Sequence, residues 1–504
     1  MVTRREFLKL TAAGLASLSP LRLPAPQASQ SQKSNILILV FDALSARHIQ
    51  LFGYSRQTMP NLTRFADRAT VFHQHTSAGS FTTSGVASML TGRYPWAHRA
   101  IQPNGTVLDD IASHNLFSLL AAQGFTTLGF SHNLLANILL YQFRGDLREF
   151  MLPRQLALVE NTLADRLFWR DYGVAVRAEE TALKPVGQLP NSLLLAALLK
   201  FVQSAEEQTV LRQYRDEFPR GLPTNHDMLY RLEDYIDWTL TQAPTLRQPY
   251  AAYVHFMPPH DPYNPRREFI GLFEDGYRAP EKPLHFFQDD RDQPFLDEKR
   301  TQYDEFVAYA DAEFGRLVDG LEQQGALENT WLVFTADHGE MFERGIYRHI
   351  TPTLYEPVIH VPFLIRAPGQ GARRDVYVPT SGVDLLPTLA SAAGLSVPGW
   401  VEGLTLLDST GAPATLPDRP VFSMDFKSSS KSGQLLKGTA SIRRGDLKLT
   451  SYWGYDGYDG ISELYDLAAD PEELNDLALE RSADAAELTS ELSEQLSANT
   501  ELRR

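Results

Sequence analysis

"NILILVFD", Asn35 to Asp42, sets six apolar residues in a row between an asparagine and an aspartate. A strand with one wet face alternates apolar and polar side chains, so a run that never alternates predicts a strand covered on both faces, as in a parallel sheet. Two later runs share this design. "AAYVHFM" (Ala251–Met257) leads into "PPHDPYNP" and places His260 and Asp261 just past a strand. "TWLVFTA" (Thr330–Ala336) leads into "DHGE" and places Asp337 and His338 past another. Between these two runs, "QYDEFVAYADAEFGRLVDGLEQQG" carries Phe306, Tyr309, Ala310, Phe314, Leu317 and Leu321 at helical spacing and stops at Gly325. Strands that alternate with helices predict an α/β fold with a large, mostly parallel sheet. Ligands of such sheets bind beyond the carboxyl ends of the strands, so residues distant in sequence are expected to meet there.

The chain has 504 residues and is 43% hydrophobic, enough for a large core. Its formal charge of −15 argues against nucleic acid as a partner, because phosphate backbones are held by clustered lysine and arginine. It has no cysteine, which excludes disulfides, thiolate metal sites and a thiol nucleophile. The first residues, "MVTRREFLKLTAAGLASLSPLRLPAPQAS", pair Arg4 with Arg5 ahead of a short apolar run. Residues 1–28 are read as a signal resembling the bacterial twin-arginine type, so the twin-arginine translocase is an expected partner and the periplasm, cell surface or exterior the expected location. If the signal is not cleaved, it would leave the protein tethered. The apolar part is shorter than the roughly 20 residues that span a bilayer.

Residues 33–410 are expected to form the catalytic α/β domain, with a mostly helical insertion over 144–245 whose most apolar piece is "SLLLAALLKFV" (Ser192–Val202). After the linker "GAPATLPDRP", residues 411–504 read as a smaller α+β segment, with strands in "VFSMDF" and "GTASIRRGDLKLTSY" and a solvated closing helix in "ADAAELTSELSEQL".

Asp42, Asp337 and His338 end strands, and two carboxylates with an imidazole suit one divalent cation, with Zn²⁺, Mn²⁺, Mg²⁺ and Ca²⁺ not distinguished. Six blocks in order carry a resemblance. They are "NILILVFDALSARHIQLFGYSRQTMPNLTRFADRATVF", "SFTTSGVASMLTGRYP", "YVHFMPPHDPY", "FTADHGEMFERGIYRHITPTLYEPVIHVPFLIRAPG", "GVDLLPTLASAAG" and "ELYDLAADPEELNDLA". Together they resemble the sulfatase branch of the alkaline phosphatase superfamily, from about Asn35 to about Leu477. The resemblance implies an alkaline-phosphatase-like α/β/α sandwich with a smaller C-terminal α+β segment. It also implies a nucleophile at the start of the block that ends in "LTGR", which is Thr82 here. Family members commonly carry a cysteine or serine there that is converted to formylglycine, and threonine cannot yield that aldehyde. The motif proline is replaced by Ser84 and the motif arginine by Val86.

A metal-bound threonine is similar to what lipoteichoic acid synthases and lipid A phosphoethanolamine transferases use. The resemblance to them implies the metal set Asp42, Thr82, Asp337 and His338. Thr82 also opens a predicted helix, whose N-terminal N–H groups suit an anion. By motif position His349 and His260 are candidates for the general acid, and His132, Asn133 and Arg93 for contacts with the substrate. Many relatives carry a second aspartate after the first ligand, where this chain has Ala43. They also often have Arg and Asp where it has Ser45 and Arg47. Three readings stay open: a hydrolase or transferase acting on phosphoesters, a sulfatase acting without formylglycine, and a binding protein that kept the fold. The expected substrate is a small-molecule, glycan or lipid-headgroup ester.

Overall fold

The computed structural model describes residues 33–151, 155–160, 206–225, 228–429 and 435–501, with isolated positions between 161 and 205. The expected signal at 1–28 and most of the apolar stretch at 192–202 lie outside the described residues.

Asn35–Phe41 is the strand its sequence predicts, buried at every position. It sits near the centre of an eight-stranded sheet in the order Arg374–Val376, Thr70–Phe72, Phe363–Arg366, Thr330–Thr335, Asn35–Phe41, Tyr250–Phe256, Thr126–Ser131, Glu149–Met151. Phe363–Arg366 runs antiparallel to both of its neighbours, and every other pairing in the sheet is parallel.

The unbroken apolar run feeds two cores, one on each face of the sheet, because successive side chains point to opposite faces. Leu37, Leu39 and Phe41 enter the core that holds Tyr303, Phe306 and Phe314 of the long helix Gln293–Gln323. Ile36, Ile38 and Val40 enter the core that holds Val86 and Leu90 of the helix Thr82–Thr91 and Leu385 and Leu389 of the helix Leu385–Ala392. The expected α/β/α layering follows from this split.

The structure adds detail to two expectations about elements. The segment expected to be mostly helical from residue 144 opens with a short 3-10 helix, Arg144–Asp146, and then carries a strand, Glu149–Met151, which pairs in parallel with Thr126–Ser131 and closes one edge of the sheet. Three alternating residues are too short a run to show a period in sequence. The closing helix Ser482–Glu501 is not solvated all round, since Leu488 and Leu492 join a buried cluster. Their spacing of four residues is one narrow apolar stripe in a polar helix.

Val421–Ser429, Leu435–Arg444, Leu447–Trp453 and Ser462–Asp466 form a four-stranded antiparallel sheet. One face packs Met424, Phe426, Ala440, Ile442, Leu449 and Leu464 with Trp96 and the closing helix. The opposite face is polar and buried. Glu463 accepts hydrogen bonds from the hydroxyls of Tyr355, Tyr452 and Tyr458. Lys448, 1% exposed, reaches Glu356 at 3.0 Å and Glu473 at 2.8 Å. Burial alone would raise Glu356, but Lys448, His360 and Arg443 together, Lys448 first, hold the carboxyl down at about 2. Both sheets lie in one compact unit, Ser34–Arg504. Among the described residues no helix is long and apolar enough to cross a membrane.

Replacing Lys448 by methionine keeps the volume but strands two buried carboxylates. A loss of about 3–5 kcal/mol in urea unfolding is expected at neutral pH, with most of it recovered when Glu356→Gln and Glu473→Gln are added.

Candidate active site

Four strands of the large sheet end at one edge, and each delivers a polar side chain there. Asp42 follows the central strand directly, Asp337 is the second residue after Thr330–Thr335, and Asn133 is the second after Thr126–Ser131. His255 is the next-to-last residue of Tyr250–Phe256, and the pairing Val40↔His255 sets it beside the strand that carries Asp42. Ligand atoms of Asp42, Asp337 and His338 lie within 4.8 Å of one another, and all three residues are buried.

The orientation of each side chain is over-determined. Asp337 Oδ1 accepts from the backbone N–H of Ala43 (3.2 Å) and of His338 (3.0 Å), which leaves Oδ2 facing the cluster. Ala43 takes the left-handed conformation at φ 58°, and its carbonyl is clamped by the Tyr303 hydroxyl at 2.7 Å. A strained turn of this kind persists only where its neighbours hold it. His338 donates from Nδ1 to the Gly339 carbonyl (2.9 Å), so its Nε2 carries the lone pair. That nitrogen lies 3.5 Å from Asp42 Oδ1 and 3.5 Å from Asp337 Oδ2.

Two carboxylate oxygens, Asp42 Oδ1 and Asp337 Oδ2, are buried with no hydrogen-bond partner. Orphaned buried oxygens facing a histidine lone pair fit a bound cation, because burial without a partner costs several kcal/mol per ion. Burial by itself would raise the Asp42 carboxyl. The imidazoles around it, His255 first and then His260 and His338, reverse the sign and hold it well below the carboxylate range.

Thr82 opens the helix Thr82–Thr91, as expected, and no side chain caps the N-terminus. Its Oγ1 lies 3.3 Å from His338 Nε2 and accepts from Asn133 Nδ2 at 3.0 Å. The Asn133 amide cannot turn over, because its Oδ1 already caps the helix Leu134–Gln142 by accepting from Leu135 and Ala136. Its Nδ2 therefore faces both Thr82 and Asp42 Oδ2 (2.5 Å). The helix is drawn in at Gly85, where a Cβ would stand 2.3 Å from the Asp337 carbonyl oxygen. The edge of the small sheet holds the preceding segment, with Met424 N–H donating to the Ala78 carbonyl (3.0 Å) and Ser423 Oγ to Ser77 (2.5 Å).

Three imidazoles wall the cluster. The His349 ring lies 4.1 Å from His338 and 5.1 Å from His260, centroid to centroid. His349 Nδ1 contacts Glu340 Oε1 at 3.0 Å, and the Tyr263 hydroxyl donates to Glu340 Oε2 at 3.3 Å. Burial pushes Glu340 up to about 7, against the pull of His260 and His338. Burial, followed by His338 and His260, holds the His349 imidazole well below its ordinary value. His260 is only partly buried and donates from Nδ1 to the Asp261 carbonyl at 2.7 Å.

Two expected contacts lie elsewhere. His132 is enclosed by Tyr230 (4.3 Å) and Tyr235 (3.8 Å), with Nδ1 accepting from the Met257 N–H, so this ring packs in the aromatic core. Arg93 follows the opposite end of the Thr82 helix, about 16 Å along its axis, and its guanidinium lies over the Trp400 ring at 5.6 Å. Arg47 pairs with Glu472. His255 and Glu340 were not singled out from the sequence. A lone histidine inside the apolar run "AAYVHFM" was the one available signal for His255, and the acid that ends "DHGE" the one for Glu340.

A hydroxyl at a helix N-terminus facing carboxylates and imidazoles at the carboxyl edge of a mostly parallel sheet is the layout of an alkaline-phosphatase-like ester hydrolase. Residues 34–143 and 193–395 match the family described as Sulfatase, and this chain belongs to that family. Its members are metal-dependent hydrolases. Residues 344–501 match the C-terminal region described for N-sulphoglucosamine sulphohydrolase. The chain is 27% identical to choline-sulfatase of Rhizobium meliloti (strain 1021) over 88% of its own length and 82% of that protein. It is 31% identical to arylsulfatase K of Xenopus laevis, but over 37% of its own length and 35% of that protein. The fold is similar to the crystal structure of phosphonate monoester hydrolase of Agrobacterium radiobacter, with a TM-score of 0.63 at 19% identity, covering 93% of this chain and 96% of that one.

Gly85→Ala is expected to push the Thr82 helix off the Asp337 backbone. The overpacking should cost about 1–3 kcal/mol in thermal or urea unfolding, and turnover should fall further than stability, because Thr82 moves with the helix. Gly124→Ala, where a Cβ has open space, is a control for stability alone at a position with positive φ.

Proposed function

We propose that this protein is an exported, metal-dependent hydrolase that cleaves phosphoesters with Thr82 as nucleophile. The observation that carries the reading is the Thr82 hydroxyl placed 3.3 Å from His338 Nε2, with Asn133 fixing it from the other side. Asp42, Asp337, His338 and Thr82 are the residues that would hold the cation. A divalent cation supplies a lowered pKa for a coordinated hydroxyl and charge neutralisation for the oxyanion.

Thr82 Oγ1 gives its proton to solvent and attacks phosphorus in line, and the bond to the ester oxygen breaks. The N-terminus of the Thr82–Thr91 helix, which has no side-chain cap, would face the group being transferred, where the helix dipole favours negative charge. The leaving oxygen takes a proton from His260, which is open enough to exchange with solvent. His349, backed by Glu340, holds the neighbouring position. Water then releases the covalent phosphothreonine, and an acceptor alcohol in place of water would give transfer.

The absence of a formylglycine precursor at Thr82 supports phosphorus as the reacting centre. The second reading is sulfate-ester hydrolysis, and it rests on the similarity to choline-sulfatase along most of both chains.

Incubating the purified protein with an aryl phosphodiester and with an aryl sulfate, and following turnover and intact mass, separates the readings. Wild type is expected to turn over the phosphodiester faster and to carry a covalent adduct, while Thr82→Ala loses the adduct and at least about 10³-fold in rate. Chelation should remove activity and restored metal should return it. Full activity in Thr82→Ala would sink the nucleophile, and a preference for aryl sulfate would move the reading to sulfur.

A further inference from the structure

Beside the cluster of Asp42, Asp337 and His338 stands a further imidazole that the family resemblance does not place there. His255 is 0% exposed, and its Nε2 has no hydrogen-bond partner, although Asp42 Oδ2 lies 3.2 Å away and Asp337 Oδ2 3.8 Å away. An imidazole nitrogen so close to two carboxylates, yet misdirected for a hydrogen bond to either, is placed as another donor to a shared centre would be. We propose that His255 Nε2 is a protein ligand of the divalent cation, together with Asp42, Asp337 and His338. The inference rests on the reading that this site binds a cation.

The spacing supports it. Donor atoms that share one cation stand about 3–4 Å apart. His255 Nε2 stands 3.2 Å from Asp42 Oδ2 and 3.8 Å from Asp337 Oδ2, and His338 Nε2 stands 3.5 Å from Asp42 Oδ1 and 3.5 Å from Asp337 Oδ2, so the two imidazoles approach different oxygens of Asp42 and the same oxygen of Asp337. The ring is also held from behind, since His255 Nδ1 lies 3.0 Å from the Tyr253 hydroxyl. When Nδ1–H donates to that oxygen, Nε2 presents its lone pair to the carboxylates, as the outer partner of a metal-bound histidine arranges. Ala43 offers no ligand where many relatives place a second acid, and the strand next to that of Asp42 supplies a nitrogen donor in its place.

The chemistry of the ligand set follows. Two imidazoles and two carboxylates favour a first-row transition ion such as Zn²⁺ or Mn²⁺, whereas Ca²⁺ and Mg²⁺ prefer oxygen donors throughout. Thr82 and the substrate oxygen would complete a higher coordination number.

The test is metal binding and does not depend on turnover. Full-length protein stripped with a chelator is titrated with Zn²⁺ against a competing indicator, for wild type, His255→Gln, Tyr253→Phe and His338→Ala. Wild type is expected to bind one equivalent. Because loss of an outer partner weakens binding about 10–100-fold, His255→Gln should lose more than about 100-fold and Tyr253→Phe less. X-ray absorption of zinc-loaded wild type should count two imidazoles, which keeps the test independent of how the variants fold. One imidazole in wild type, or an unchanged affinity in His255→Gln beside a lost one in His338→Ala, overturns the proposal and leaves the metal site standing. No binding by wild type overturns both.

Discussion

The interaction on which the rest depends is the meeting of two carboxylates, Asp42 and Asp337, away from water. Each pays a desolvation cost of several kcal/mol, and their repulsion grows in a medium of low dielectric. The structure answers with donors. Asp337 Oδ1 takes two backbone N–H groups and Asp42 Oδ2 takes the Asn133 amide, while the remaining two oxygens are left to face imidazoles and the place a cation would fill. Without that positive charge the cluster would be a defect in the core. With it, the same burial becomes the source of its chemistry, since charges act most strongly where water is excluded.

Around this pair, the elements serve positioning. The parallel sheet brings Asp42, His255 and Asp337 to one edge because its central three strands run the same way in matched register. The Thr82 helix approaches to the limit that backbone allows at Gly85. The small C-terminal sheet is part of the same arrangement. Its edge strand pairs with the segment before Thr82, and Lys448 ties its polar face to Glu356 of the large domain. Stability and site geometry are therefore coupled across the two sheets.

The fold was legible in the sequence wherever a run was long and one-sided. "NILILVF" and "TWLVFT" are strands, and "TTSGVASML" starts a helix at Thr82. Asp42, Thr82, Asp337 and His338 were nameable because strand ends and ordered motifs mark them, and the structure brings them together. His132 and Arg93 were misplaced because motif position does not say which way a side chain points. His132 turned into an aromatic pocket formed by residues about a hundred positions later in the chain, and Arg93 lay beyond the far end of its helix.

By itself, the sequence determined the layered α/β class, the absence of any thiol chemistry and the threonine that opens the block ending in "LTGR". Those are matters of composition, local period and order along the chain. Only the tertiary structure decided which side chains share the cluster, because that depends on register between strands hundreds of residues apart and on the approach of one helix to one backbone. His255 is the clearest case. In sequence it is one polar residue in an apolar strand, and it becomes a neighbour of two carboxylates only when that strand lies beside Asn35–Phe41 in the pairing Val40↔His255.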